Sequence, residues 1–201
     1  MLAPTLQALG LDRKRVVLDV APDGWALFSA DRKKRYGLGR FLRSGLFLPQ
    51  EPRVLICCGL NPSKAGAYNP DQTITKMVGF AEIHRCVGLC MVNLEPAIGT
   101  NPDTVSGSAS AEDDAIVRAI IEYVTAEAIP LTIAAWGSHD LASFARVKTL
   151  LEMLPEPVFC FGTTASGDPR HPSRLAYATP LEQWHPVPTH PSSARRTRRA
   201  S

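Results

Sequence analysis

The 201-residue sequence has no apolar run that could cross a membrane and no recognisable secretion signal. A spanning helix needs roughly 18 consecutive apolar residues, and every apolar run here is shorter. The first residues lack the positive segment and longer apolar stretch of a signal peptide. We therefore expect a cytoplasmic protein that makes no membrane contact.

Cysteine is scarce and does not form a pattern typical of disulfides or metal sites. There are five cysteines, and this odd number, with several of them in apolar runs, predicts reduced, buried thiols. Cys86 and Cys90 lie four residues apart near His84, but a zinc site would need a second compact pair of ligands. We predict no metal and no cofactor.

The net charge is small, +3. Four arginines within residues 195–199 supply more than this excess, so the rest of the chain is slightly negative. Overall charge is therefore weak evidence for a nucleic acid partner. A second basic cluster, residues 32–35 with Arg40 and Arg43, is more typical of a solvated face than of a phosphate-binding patch.

Segments with the residue pattern of β-strands alternate along the chain with segments that have the pattern of α-helices. Residues 14–29 predict two short strands around a turn at residues 22–24. Residues 35–47 predict an irregular segment or a short helix. Continuous apolar runs predict buried strands at residues 53–61, 88–95, 131–137 and 157–162, and helical spacing predicts helices at 71–87, 111–128 and 138–154.

This alternation predicts one α/β domain over residues 1–184. The expected architecture is a three-layer α/β/α sandwich with a mostly parallel central sheet. Residues 185–201 are rich in Pro, Ser and Arg, which predicts a disordered basic tail.

Polar residues follow each predicted core strand. Sites in open α/β sheets form at the carboxyl ends of the strands, so these residues are expected to meet at one edge. Asn61 and His171 are the strongest candidates, because both are placed beyond the carboxyl ends of core strands. The polar segments are residues 59–63, 93–95, 136–139, 162–164 and 168–173.

The order of these segments resembles the motif order of the uracil-DNA glycosylase superfamily. That superfamily has a Gly-x-(Asp/Asn)-Pro loop, then an Asn, a Leu-Trp-Gly strand and a final His-Pro-Ser loop; here they read GLNPS, VNL, AAWGSH and HPSRL. Asn61 is similar to the mismatch-specific branch, and residues 171–173 are similar to the uracil-specific branch. The resemblance implies a uracil-DNA glycosylase-like fold.

A closer resemblance is to family 1643 of domains of unknown function. Its motifs are Leu-Asn-Pro-Ser, Asp-x-Thr, Asn-Leu, Trp-Gly and Gly-x-Pro-x-His-Pro. The resemblance extends over about residues 35–184. The matching segments are residues 60–63, 71–73, 93–94, 136–137 and 167–172.

The glycosylase resemblance implies two catalytic residues. Asn61 would position a water molecule for attack at the sugar C1′, although an amide is a poorer base than a carboxylate. His171 would donate a hydrogen bond to pyrimidine O2 as negative charge develops on the leaving base. Asn93 would read the Watson–Crick edge of a flipped base.

The other residues in the matching motifs are implied to bind substrate. The backbone of Pro172 and Ser173 would hold a phosphate, with help from Arg170 or Arg174. The remaining candidates for substrate binding are Gly59, Leu60, Pro62, Ser63, Asp71, Thr73 and Trp136. Purely structural roles are the alternative: Asp71 and Thr73 as helix caps, Asn93 in a tight turn and Trp136 in packing.

Some positions depart from the uracil-specific branch. Asn61 and Ser63 stand where that branch has Asp and Tyr, and Leu175 follows an arginine where it has a proline. Only Tyr68 and Phe80 are available, by proximity, as the stacking aromatic residue.

The sequence therefore predicts a monomeric, DNA-binding, glycosylase-like enzyme that hydrolyses the N-glycosidic bond of a normal or modified pyrimidine. Two alternatives stay open. One is a transferase that modifies a flipped pyrimidine, and the other is a non-catalytic protein that binds DNA or a nucleotide.

Overall fold

The computed structural model describes residues 3–42, 50–105 and 109–186. Arg43 and the predicted tail beyond residue 186 lie outside these ranges. No helix in the described ranges is both long and apolar enough to cross a membrane. The strands are β1 (Val16–Ala21), β2 (Gly24–Ser29), β3 (Arg35–Phe41), β4 (Arg53–Gly59), β5 (Gly88–Asn93), β6 (Ile129–Ala134), β7 (Val158–Cys160) and β8 (Glu182–Gln183); the helices are α1 (Gln72–Ile83), α2 (Ala111–Glu127) and α3 (Phe144–Leu151).

All eight strands belong to one mixed sheet with the order β1-β2-β3-β5-β4-β6-β7-β8. The four predicted core strands are neighbours, and β5, β4, β6 and β7 run parallel, as predicted. The prediction of a mostly parallel sheet is wrong, because the other four pairings are antiparallel. A three-stranded antiparallel unit, β1 to β3, extends the parallel core on one side, and β8 extends it on the other.

Strand β3 was predicted as an irregular segment or a short helix because its glycines weaken the strand pattern. Gly39 is required by close packing rather than by a turn. A Cβ atom at this position would lie 2.1 Å from Nε1 of Trp25, which is fully buried against the strand. The absence of a side chain at Gly39 therefore lets the Trp25 indole cross the strand.

Helices cover both faces of the sheet, so the three-layer arrangement agrees with the prediction. Alternate residues of β4 point to opposite sides: Ile56 and Cys58 join one core, whereas Leu55 and Cys57 join the other. Helices α2 and α3 pack against the first core, and α1 packs against the second.

Polar residues fix the first turn of each helix. Asp71 caps α1 by accepting a hydrogen bond from the Ile74 amide at 2.8 Å. Ser110 and Asp113 form a capping box at α2. Helix α3 begins only at Phe144, later than predicted, because Ser143 is its cap.

Candidate functional site

A cleft of about 290 Å³ lies at the carboxyl edge of the parallel strands. This volume is close to the lower end of the roughly 300–1,000 Å³ typical of small-molecule sites. The ends of β4 and β5, the start of α1 and the loops after β5, β6 and β7 all contribute to its wall. The lining residues are Arg35, Gly59, Leu60, Asn61, Ser63, Asp71, Thr73, Ile74, Met91, Asn93, Gly99, Thr100, Pro102, Trp136 and His171.

Most of the predicted site residues line this one cleft, including both Asn61 and His171. The cleft does not include all of them. Pro62 and Pro172 are buried beside it, Ser173 is half-buried, and Arg170 is exposed. The residues of the final loop that were predicted to hold a phosphate therefore lie outside the cleft wall.

The side chain of Asn61 is held in one orientation by backbone carbonyls. Its Nδ2 donates a hydrogen bond of 2.8 Å to the carbonyl oxygen of Gly99 and a longer one of 3.3 Å to that of Pro62. With the amide nitrogen occupied in this way, Oδ1 is the atom with which Asn61 can bind a ligand or water.

Asn93 lies across the end of the neighbouring strand. The parallel register of β4 and β5 pairs it with Gly59. A Cβ atom at Gly59 would lie 2.9 Å from the Asn93 Oδ1, so the glycine leaves the space that the carboxamide occupies. Asn93 is only 4% exposed, and within the described ranges its Nδ2 has no hydrogen-bond partner. Asn93 therefore offers a buried donor that a ligand could satisfy.

His171 caps a short 3-10 helix, Pro172–Arg174, through its own side chain. Its Nδ1 accepts a hydrogen bond from the Ser173 amide at 3.4 Å. An accepting Nδ1 places the proton of the neutral ring on Nε2. The protein atoms around the ring desolvate it and lower its pKa, an effect that attraction to Asp71 partly opposes. Although the residue is exposed to solvent on one side, its imidazole is thus kept neutral, with Nε2–H as a donor.

Gly137 brings the two loops beside this histidine together. Its φ of +75° is a conformation that favours glycine. A Cβ atom added at this position would contact the Cβ of His171. The Gly137 amide also donates to the carbonyl of Pro169 at 2.9 Å. These contacts set where the His171 loop lies relative to the end of β6.

Ser63 and Asp71 form a pair at the start of α1. The Ser63 hydroxyl donates to one carboxylate oxygen of Asp71, and the Ile74 amide donates to the other. The structure thus gives Asp71 the capping role that was the alternative to substrate binding, while it also lines the cleft. Thr73 lines the cleft without capping the helix.

Arg35 is a charged cleft residue that was not predicted from the sequence as part of the site. It is 3% exposed, so the prediction of a solvated basic face is wrong for this position, as it is for the buried Arg40. Arg35 donates through Nη1 to the carbonyl of Ala65 at 2.7 Å, whereas its Nε has no partner in the part of the chain that the structure describes. Recognising β3 as a strand would have placed Arg35 at the sheet edge that carries the site.

Burial lowers the pKa of Arg35 to about 10, mainly through desolvation, with an opposing attraction to Asp71. A group with this pKa stays protonated at neutral pH. Arg40 differs because its guanidinium donates to the carbonyls of Gly39 and Gly66, away from the cleft. Of these two buried arginines, only Arg35 brings a positive charge to the cleft wall.

Trp136 combines packing with a free polar atom. Its ring meets that of Trp184 edge to face, with centroids 5.1 Å apart, which agrees with the packing role considered for it. Its Nε1 is nevertheless buried and has no hydrogen-bond partner in residues 3–42, 50–105 and 109–186, and the residue lines the cleft.

Several polar and aromatic candidates lie outside the cleft. His139 Nε2 lies 3.1 Å from the carboxylate of Asp103, and Ser138 joins a hydroxyl cluster with Asp168. The suggestion that Tyr68 or Phe80 stacks on a base is wrong for this structure. Tyr68 is 65% exposed and bonds the backbone of β1, while Phe80 is buried between other aromatic rings.

A family model described as "Protein of unknown function (DUF1643)" matches residues 35–173. These limits include every residue in the cleft lining. Searches of curated proteins and of solved structures found no match. The resemblance to the uracil-DNA glycosylase superfamily stays a prediction.

Proposed function

The chain belongs to the family described as protein of unknown function (DUF1643), and we propose that it is a glycosylase-like enzyme that hydrolyses the N-glycosidic bond of a pyrimidine in DNA. One observation carries the proposal. Asn61, Asn93 and His171 come from three distant segments, yet they line one cleft at the carboxyl edge of the parallel strands. Their free polar atoms suit a water molecule, a base edge and a leaving base, respectively.

Asn93 recognises the base in this proposal. A carboxamide can pair with the Watson–Crick edge of a pyrimidine, whose carbonyl oxygens accept hydrogen bonds. The unpartnered Nδ2 supports this role, because a buried donor without a partner costs about 1–3 kcal/mol and gains most from an acceptor on a ligand. Since a base in a duplex cannot reach a buried side chain, the base must be flipped or already single-stranded.

Asn61 and His171 act at the glycosidic bond. Asn61 Oδ1 accepts a hydrogen bond from water and directs its oxygen to C1′. The bond between C1′ and the base nitrogen breaks, and its electrons pass to the base, where His171 Nε2–H stabilises the charge that appears on O2. The water proton leaves to solvent, because an amide does not retain it.

We place this reaction in the cytoplasm. All five cysteines are buried and unpaired, an arrangement typical of proteins in reducing compartments. A monomer that binds DNA is part of the same proposal.

The test is release of a base by the wild-type chain from oligonucleotides that contain uracil or a modified pyrimidine, detected by cleavage at the abasic site. Asn93→Ala should reduce the single-turnover rate about 10- to 100-fold, because it removes one buried hydrogen bond to the base. Asn69→Ala is the matched control, since Asn69 is exposed and does not belong to the cleft lining. An Asn93→Ala rate equal to that of the control would contradict the role of Asn93. Binding without release by the wild type would instead favour the non-catalytic alternative.

A further inference from the structure

Three buried donors in the cleft wall have no hydrogen-bond partner among the residues that the structure describes: Nε of Arg35, Nδ2 of Asn93 and Nε1 of Trp136. Their residues are 3%, 4% and 2% exposed, respectively. All three atoms are N–H groups, so this part of the wall offers donors that lack acceptors. The cleft is therefore suited to a ligand rich in acceptor atoms.

The strand order fixes where these donors lie along the cleft. Arg35 begins β3, Asn93 ends β5, and Asn61 follows β4. Because the order in the sheet is β3-β5-β4-β6, Arg35 lies one strand beyond Asn93, on the side away from Asn61. Trp136 follows β6 and belongs to the opposite end, next to the His171 loop.

Arg35 brings a buried positive charge to its end of the cleft. Among the described residues it forms no ion pair. Asp71 attracts it electrostatically, but the carboxylate oxygens of Asp71 accept from Ser63 and from the Ile74 amide. A buried charge with so few partners is costly, and a bound anion would offset that cost.

We propose that this end of the cleft binds a negatively charged substituent of the target base, a carboxylate or a phosphate ester, through Arg35. The inference rests on the proposed function, because Asn61 and His171 give the base its orientation. With the glycosidic bond between those two residues, the opposite part of the base faces Arg35. Ring carbon C5 is a suitable position for the substituent, since it lies outside the Watson–Crick edge that Asn93 would read.

Arg35 suits both anions. A guanidinium is planar and presents several N–H donors in a fork that matches the oxygens of a carboxylate or a phosphate. Its buried, water-excluded position strengthens the interaction relative to an exposed arginine. A neutral substituent such as a hydroxymethyl group would leave the charge unpaired.

The test compares three short single-stranded oligonucleotides that differ only at C5 of one pyrimidine. The substituent is a carboxylate, a phosphate ester of a hydroxymethyl group, or the neutral hydroxymethyl group itself. We expect the wild-type chain to bind at least one anionic form about 10- to 100-fold more tightly than the neutral form, by competition fluorescence anisotropy. The stronger of the two anions identifies the natural group.

Arg35→Gln should remove this preference. Arg40→Gln is the matched control: Arg40 lies on the same strand and is equally buried, but it bonds backbone carbonyls outside the cleft. It should retain the preference. A preference that survives in Arg35→Gln would overturn the proposal.

Equal affinity of the wild type for all three oligonucleotides would also overturn it, and this comparison needs no variant to fold. The outcome is separable from the fate of the proposed function, because binding is measured rather than base release. Release of neutral pyrimidines without an anionic preference would retain the enzyme and reject the Arg35 subsite. An anionic preference without release would retain the Arg35 subsite and reject the enzyme.

Discussion

At the scale of single residues, the orientation of Asn61 decides what a substitution there would do. A carboxylate is a better base than an amide, so the residue type alone favours activity in Asn61→Asp. The hydrogen bonds of the Asn61 side chain predict the opposite effect on activity. Nδ2 of Asn61 donates to the carbonyls of Gly99 and Pro62, and an aspartate would place an acceptor against both oxygens.

We therefore expect Asn61→Asp to lower base release as well as the free energy of unfolding, the latter by about 1–3 kcal/mol. Urea unfolding together with single-turnover rates would measure both effects. Asn69→Asp is a suitable control, because Asn69 is exposed in the same loop. An Asn61→Asp protein with wild-type stability and a raised rate would show that the amide orientation is not as described.

At the scale of secondary structure elements, the parts that could be predicted from sequence are those with uninterrupted patterns. Strands β4 and β5 are continuous apolar runs that end in polar turns, so both their positions and their parallel pairing could be predicted. Strand β3 was missed because its glycines hide the pattern, and β8 is only two residues long.

The same reason explains what was missed at the site. Asn61, Asn93 and His171 could be predicted because each lies at or beyond the carboxyl end of a recognised strand. Arg35 begins the unrecognised strand and stands beside exposed basic residues, such as Lys33, so it was interpreted as solvated. Its burial depends on the tertiary pairing of β3 with β5, which the local sequence does not reveal.

Gly39 tests the packing that creates β3. In Gly39→Ala the new Cβ would meet the fully buried Trp25 ring at 2.1 Å from Nε1, with no room for the ring to move away. Overpacking of this kind costs about 1–3 kcal/mol, and we expect the urea midpoint to fall accordingly. Gly66→Ala is the control, because its Cβ would have only an ordinary contact of 3.8 Å with Phe28. A Gly39→Ala midpoint as high as that of Gly66→Ala would contradict the described packing.

At the scale of the whole molecule, one apolar core lies on each face of the sheet, and the candidate site lies at the edge of the sheet. All five cysteines are buried in these cores, and the neighbouring residues Cys57 and Cys58 point into different cores, on opposite sides of β4. Desolvation raises the pKa of these thiols, to about 12 for Cys90 and about 11 for Cys86. Low thiolate content and burial together predict slow reaction.

We expect a thiol reagent such as a coloured disulfide to label the native chain slowly at Cys57 and Cys58, and all five cysteines at once in denaturant. Mass spectrometry of the labelled peptides would locate each reaction. Rapid native labelling of both residues of β4 would mean that this strand is not at the centre of the sheet, and the position of the cleft would lose its basis.

The central claim is that the cleft with Asn61 and His171 is the place where a glycosidic bond is broken. In the proposed function His171 stabilises charge that appears only as the bond breaks, so His171→Ala should lower the chemical rate about 10²- to 10³-fold with little change in DNA affinity. His139→Ala is the matched control, because His139 follows the neighbouring strand but lies outside the cleft lining.

The most direct measurement is single-turnover base release by the wild type, His171→Ala and His139→Ala on a panel of pyrimidine lesions. The account predicts release by the wild type and by His139→Ala, and a rate about 10²- to 10³-fold lower for His171→Ala. Absence of release from every substrate by the wild type, or equal rates for the two histidine variants, would contradict it.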